Sequence, residues 1–170
     1  MSSYPDLENK VVLITGASSG IGASTAKYFA GQQCRLCWTF PIVFFISIIL
    51  RLSLVARNIP ALDLVKAECL QLGAPKVITI MCDVGIEAEC KEAVNETIAV
   101  MDGLDILVNN AGYLARENFL NVSGEDIDKS MAVNLKSAVK LSQAGTPVTG
   151  SLNYLHQFYY PKILDLINQL

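Results

Sequence analysis

The stretch that most constrains this chain is Val11 to Gly31, where an apolar run meets three closely spaced glycines and then a helix-like segment. Val11-Val12-Leu13-Ile14 has no polar interruption, the mark of a strand covered on both faces. Thr15-Gly16-Ala17-Ser18-Ser19-Gly20-Ile21-Gly22 then reads as a turn, and Ala23 to Gly31, with Ala26, Tyr28 and Phe29, as a helix. Strand, glycine turn and helix open a βαβ unit, which commits the chain to a parallel sheet with crossover helices. Such a turn aims free backbone N–H groups, reinforced by the helix dipole, at one point that suits a phosphate or pyrophosphate. Gly16 and Gly20 allow close approach there, and Gly22 lets the helix pack on the sheet.

The alternation continues downstream. Pro60 suits the first turn of a helix with Leu62, Val65, Cys69 and Leu72 on one face, stopped by Gly73. Val77 to Met81 reads as a strand ending in Cys82-Asp83-Val84, and Ile86, Cys90, Val94, Ile98 and Met101 mark a second amphipathic helix. Leu104 to Val108 is a further strand, running into Asn109-Asn110-Ala111-Gly112. Ser123 with Asp126 forms a capping box for a helix expected to turn Ile127, Met131, Leu135, Ala138 and Leu141 inward. The expected class is α/β, a doubly wound parallel sheet. Gly145-Thr146-Pro147 reads as a breaker with no evident partner strand after it, so the domain is drawn over 1–144 and a divergent tail over 145–170.

Composition removes several other classes. With 52% hydrophobic and 17% charged residues the chain is not disordered in general, and a net charge of −3 offers no basic surface for nucleic acid. Five cysteines are an odd number, and Met1 to Asp6 show no basic, then apolar leader, so reduced thiols in a cytoplasmic setting are expected. Cys34-x-x-Cys37 lacks a second ligand pair and His156 is the one histidine, so no metal site is expected.

Thr15-Gly-x-x-x-Gly20-Ile21-Gly22, with Asp83-Val84 after the third strand and Asn109-Asn110-Ala111-Gly112 after the fourth, resembles the short-chain dehydrogenase/reductase family, from about Leu7 to Ala144. The resemblance implies an incomplete Rossmann-like sheet of about four of the expected strands. It further implies NAD or NADP as cofactor, and hydride transfer between a carbonyl and an alcohol. By position it implies a pyrophosphate site at Gly16, Ser18, Ser19, Gly20, Ile21 and Gly22. Asp83 and Val84 would stand at the adenine, and Asn110 and Gly112 beside the ribose, with Ala111 also counted among the cofactor-binding residues. Asn134 matches the helix asparagine that supports a proton-relay water in the family. The implied partners are the dinucleotide and, in a full-length relative, a small carbonyl or alcohol. At the end of the second strand, an acid binds a ribose 2′-hydroxyl and an arginine accommodates a 2′-phosphate. Here Ser53-Leu-Val-Ala-Arg57-Asn58 holds no acid, so Arg57 favours NADP over NAD.

Two departures stand out. Leu36 to Leu50 contains no charge, and Arg57 lies 41 residues after Gly16, where the fingerprint sets about 20 or slightly more. The Arg-Leu pair at 35–36 recurs at 51–52, and removing that 16-residue step leaves 25, so residues 37–52 behave as an apolar insertion near the second strand. Membrane attachment through residues 36–56, an apolar surface loop and an unspliced intron compete as explanations. The intron is preferred, because excision restores the spacing. The second departure is chemical: in the family a tyrosine acts as acid/base beside a lysine four residues later, and a serine orients the carbonyl. No tyrosine here has lysine at that step, and Lys162 stands four after Phe158. The chain is therefore expected to be truncated before the Tyr-x-x-x-Lys region and catalytically incompetent. The alternative is a non-catalytic dinucleotide-binding module.

Overall fold

The computed structural model describes residues 7, 9–31, 50–149 and 154–156. β1 (Val11–Thr15), buried along its whole length, leads into α1 (Gly20–Gly31). Then come β2 (Arg51–Ala56), α2 (Ile59–Gln71), β3 (Lys76–Met81), α3 (Glu87–Met101) and β4 (Ile106–Val108). A 3-10 turn (Phe119–Asn121), α4 (Gly124–Met131), a π-helical turn (Ala132–Lys136), α5 (Ser137–Thr149) and β5 (Tyr154–His156) complete the described order.

The sheet is parallel throughout, in the order β3-β2-β1-β4-β5. The chain winds outward from β1 through β2 to β3, then crosses back to β4 on the other side of β1. That reversal opens a crevice beyond the carboxyl ends of β1 and β4, the place where such sheets bind ligands. Thr15 pairs with Val55 and Ile14 with Val108, so the loops after these strands gather along one edge.

Alternate residues of each strand feed two cores. Val12, Ile14, Leu52 and Leu54 pack with Ala26 and Ala30 of α1 and Leu62 and Cys69 of α2. Leu13, Val55 and Leu107 pack with Cys90 and Val94 of α3 and Leu141 of α5. Ser53 faces the second layer and is buried, its hydroxyl 2.7 Å from that of Thr97 on α3. Asn58 caps α2 by accepting from the Ala61 amide, and Ser123 caps α4 by accepting from the Asp126 amide. The reciprocal half of the capping box is altered: the Asp126 carboxylate accepts from the Ser123 hydroxyl at 2.8 Å.

The fold amends several expectations. Ile127, Met131 and Leu135 do not point inward: all three are exposed, and α4 buries none of its residues. The π turn is the cause, because its wider turn shifts the inward stripe to Val133, Ser137, Ala138 and Leu141. Leu72 caps α2 from outside and is exposed. α5 runs through Gly145 and Thr146, whose hydroxyl donates back to the Ser142 carbonyl at 2.7 Å. Beyond it β5 adds a short strand beside β4, in a segment whose sequence showed no partner strand; three residues are too few to carry a period.

Residues 36–49, the bulk of the charge-free run, lie outside the described residues. Leu50 is buried, and Arg51 and Leu52 open β2. Because Arg-Leu occurs at both ends of the proposed insertion, excising 35–50 yields the same joined sequence as excising 37–52 and keeps this strand whole. Among the described residues no helix is long and apolar enough to cross a membrane.

Candidate functional site

The glycine turn is built by contact with the loop after β4. Thr15, buried at the end of β1, donates from Oγ1 to the Val108 carbonyl at 3.3 Å and accepts from the Asn110 and Ala111 amides, each at 3.0 Å. Asn110 Nδ2 donates to the Thr15 carbonyl at 2.9 Å. Gly16 has φ +66°, and a Cβ there would meet Ala111 Cα at 2.9 Å. A Cβ on Gly22 would collide with the Gly16 carbonyl and stand 2.5 Å from Asn110 Nδ2. Both positions therefore require glycine, one for conformation and space, the other for space alone. α1 begins at Gly20 with no acidic residue in its first turn, so nothing there offsets the positive end of its dipole.

These loops border a cleft of about 520 Å³. The expected cofactor residues line it, with Gly20 and Gly22 alone set back, and Asn134 lines it as well. At one end Arg57 Nη1 lies 3.6 Å from Asp83 Oδ2, the arginine being well exposed. Asp83 is fixed locally: the Gly85 amide donates to its Oδ1 at 2.9 Å, and its own amide donates to Glu89 Oε2 at 2.6 Å.

At the other end the π turn meets the β4 loop. Asn134 Oδ1 accepts from the Tyr113 amide at 2.7 Å while Nδ2 donates to the Tyr113 carbonyl at 2.8 Å. The Tyr113 hydroxyl donates to Asp126 at 2.5 Å, and Lys129 Nζ stands 4.6 Å from the ring centroid. That hydrogen bond raises the phenol above its ordinary range. It also holds the Asp126 carboxyl below the usual carboxylate range, with help from Ser123.

Tyr113, Lys129, Cys82, Thr15 and Asn109 also line the cleft and were not among the expected residues. Asn109, Thr15, Tyr113 and Cys82 had a signal, since each adjoins an expected residue; Lys129 is brought to the cleft only by the fold. The Asn109 carboxamide is buried with neither polar atom hydrogen-bonded. A dinucleotide fits this site on one count: the Asn109 carboxamide, on a residue that lines the cleft, offers a donor–acceptor pair without partners. Among the described residues no cluster of histidine, cysteine and acidic side chains could hold a metal.

The family model described as short chain dehydrogenase matches residues 49–150, more than half of the chain. The chain is 38% identical over 146 residues to 11-beta-hydroxysteroid dehydrogenase 1A of Arabidopsis thaliana, covering 84% of this chain and 36% of that protein. Among solved structures it resembles a short chain dehydrogenase of Burkholderia cenocepacia in complex with NADP, with TM-score 0.70 and 27% identity over 84% of this chain and 51% of that one. It also resembles an NADH-dependent reductase complexed with NAD, with TM-score 0.68 and 28% identity over 84% of this chain and 53% of that one. The chain thus spans little more than a third of the Arabidopsis protein and about half of each solved one. Its motifs, its sheet order and these matches agree: the chain belongs to the short-chain dehydrogenase/reductase family.

Proposed function

We propose that the cleft holds a nicotinamide dinucleotide, NADP in preference to NAD, and that these 170 residues bind it without turning a substrate over. The convergence of the glycine turn, the Asp83 loop and the Asn110 loop on one cleft carries this reading. Gly16, Ser18, Ser19, Gly20, Ile21 and Gly22 would form the pyrophosphate cradle. Asp83 and Val84 would border the adenine, and Asn110, Ala111 and Gly112 the ribose. Arg57 supports the choice of NADP, because its exposed guanidinium is held on one side by a single long ion pair and can fork onto a phosphate. When bound, the dinucleotide supplies or accepts the hydride exchanged between alcohol and carbonyl.

The inactivity of the chain as it stands follows from its tyrosines. None is followed by lysine at the fourth position. Tyr113 lies in the cleft, but its bond to Asp126 raises its proton affinity, opposite to what an acid/base near neutrality needs. Asn134 devotes its carboxamide to the Tyr113 backbone, which makes it a positioning residue here. Carbonyl or alcohol conversion belongs, in this reading, to a longer relative carrying the tyrosine and lysine. A cytoplasmic setting remains part of the reading, resting on the cysteine composition. The membrane-attached alternative is less well supported. Residues 51–56 are hydrogen-bonded inside the sheet, and the 15 residues from 36 to 50 would span about 22 Å as a helix against a core of about 30 Å.

Fluorescence titration with NADPH and NADH, paired with a turnover assay on simple aldehydes and ketones, tests the proposal. Saturable binding tighter for NADPH, without turnover, is the expected result. Equal or tighter NADH binding would overturn the cofactor preference, and cofactor-dependent turnover would overturn the inactivity.

A further inference from the structure

Several polar side chains that line the cleft are occupied by the protein itself. Thr15 and Asn110 hold each other's loops, Asn134 holds the Tyr113 backbone, and the Ser137 hydroxyl donates to the Val133 carbonyl at 2.6 Å. Asn109 is different. It is 9% exposed, and neither Oδ1 nor Nδ2 has a hydrogen-bond partner; among the described residues no other buried side chain is left so. An unpaired carboxamide in that setting costs folding free energy, and the cost is recovered when a ligand supplies both partners. Its place follows from the strand before it. Leu107 packs in the core layer that holds Val84 and Val133, and Val108 packs in the other. The alternation returns Asn109 to the Leu107 side, where that layer opens on the cleft. Val84 and Val133 are buried and line the cleft as well. A Cβ on Gly85 would meet Val133 Cγ2 at 3.4 Å, so the Asp83 loop abuts the π turn at this point. Two valines and one unpaired carboxamide suit a flat heteroaromatic ring that carries a donor beside an acceptor. Adenine has that edge, its 6-amino group standing next to a ring nitrogen, and asparagine matches it with two hydrogen bonds. A phosphate offers acceptors alone and would leave Oδ1 unpaired.

We propose that Asn109 reads the base of the dinucleotide: Nδ2 donates to a ring nitrogen of adenine while Oδ1 accepts from the 6-amino group beside it. Val84 and Val133 supply the apolar contact to the ring. The last torsion of the asparagine side chain has only broad wells, so the carboxamide turns to meet the base at little cost. The assignment rests on the reading that the cleft takes a nicotinamide dinucleotide with its adenine at Asp83 and Val84. It adds to that reading the residue that selects adenine over a purine lacking the amino group. Without that group Oδ1 would stay buried and unpaired against the ligand, and sites of this kind reject such analogues.

The test uses the full chain, NADPH, and the reduced analogue of NADPH in which purine replaces adenine. Each is titrated by fluorescence against the parent and Asn109→Leu. The parent should bind NADPH about tenfold more tightly than the purine analogue. Asn109→Leu should weaken NADPH binding about tenfold or more and bring the two ligands within about threefold of each other. Its melting temperature should equal or exceed that of the parent, because the substitution removes a buried polar pair that has no partner. A parent that binds both ligands alike would overturn the assignment while leaving dinucleotide binding in place, and so would an Asn109→Leu chain that keeps the preference for NADPH. A lowered melting temperature with unchanged NADPH affinity would also overturn it, marking a carboxamide that serves the fold alone. If Asn109→Leu does not fold, the two titrations of the parent uphold or overturn the assignment by themselves. A parent that binds neither ligand overturns the dinucleotide reading, and the assignment falls with it.

Discussion

Asn110 donates from Nδ2 to the carbonyl of Thr15 at 2.9 Å, joining two residues 95 positions apart. Thr15 answers through its hydroxyl, which accepts the backbone amides of Asn110 and Ala111. The two loops that flank the switch point of the sheet are thereby one rigid unit. Everything the cleft can bind depends on that unit holding its shape.

Thr15→Val should expose that dependence. The substitution keeps the shape of the side chain but leaves the Asn110 and Ala111 amides without their acceptor. A loss of about 2 kcal/mol in folding free energy is expected, from two strained or unpaired donors near the core. Urea denaturation measures it, and an unchanged midpoint would show that the hydroxyl is dispensable.

Gly22→Ala places a methyl group against the Gly16 carbonyl and Asn110 Nδ2. Overpacking of this kind costs about 2 kcal/mol, and here the strain falls on the phosphate cradle itself. Dinucleotide binding should drop below detection while the circular dichroism spectrum stays α/β. Binding within twofold of the parent would contradict the close-approach argument.

Arg57→Ala separates the two cofactors. It removes the cation beside Asp83 at the end of β2. NADPH affinity should fall by about tenfold or more, the worth of a charge-assisted contact, and NADH affinity by less than about twofold. Parallel losses for both cofactors would mean that Arg57 does not read the 2′-phosphate.

Cys69 gives a pH prediction. Burial, and then the neighbouring Glu68, push its thiol up to about 11. An unfolded thiol ionises near about 8.5, so above that pH the unfolded chain sheds a proton that the native state keeps. The contribution of Cys69 is therefore fully present below about pH 8.5 and is lost as the pH rises toward about 11. Stability measured between pH 8 and 10 should decline less steeply in Cys69→Ala than in the parent. Iodoacetamide at pH 8 should leave Cys69 unlabelled in the native chain.

Much of the fold could be read from local pattern. The Val11–Ile14 run, the glycine spacing and the Asp83 and Asn110 motifs specify strands, turns and their ends through near neighbours, and each stands where expected. The inward stripe of the helix after Ser123 was not legible, because a π turn at Ala132–Lys136 changes the period that the pattern assumes. Tyr113 and Lys129 meet only because α4 folds back over the β4 loop.

The sequence by itself determined the α/β class, the family, and the loops that carry its motifs, since these depend on side-chain alternation and on residues a few positions apart. Only the tertiary structure decided how those loops converge. Strand order brings Thr15 against Asn110, sets Arg57 beside Asp83, and leaves the Asn109 carboxamide without partners in the cleft. Contacts across such distances are fixed by how the sheet is wound, and no local pattern records that.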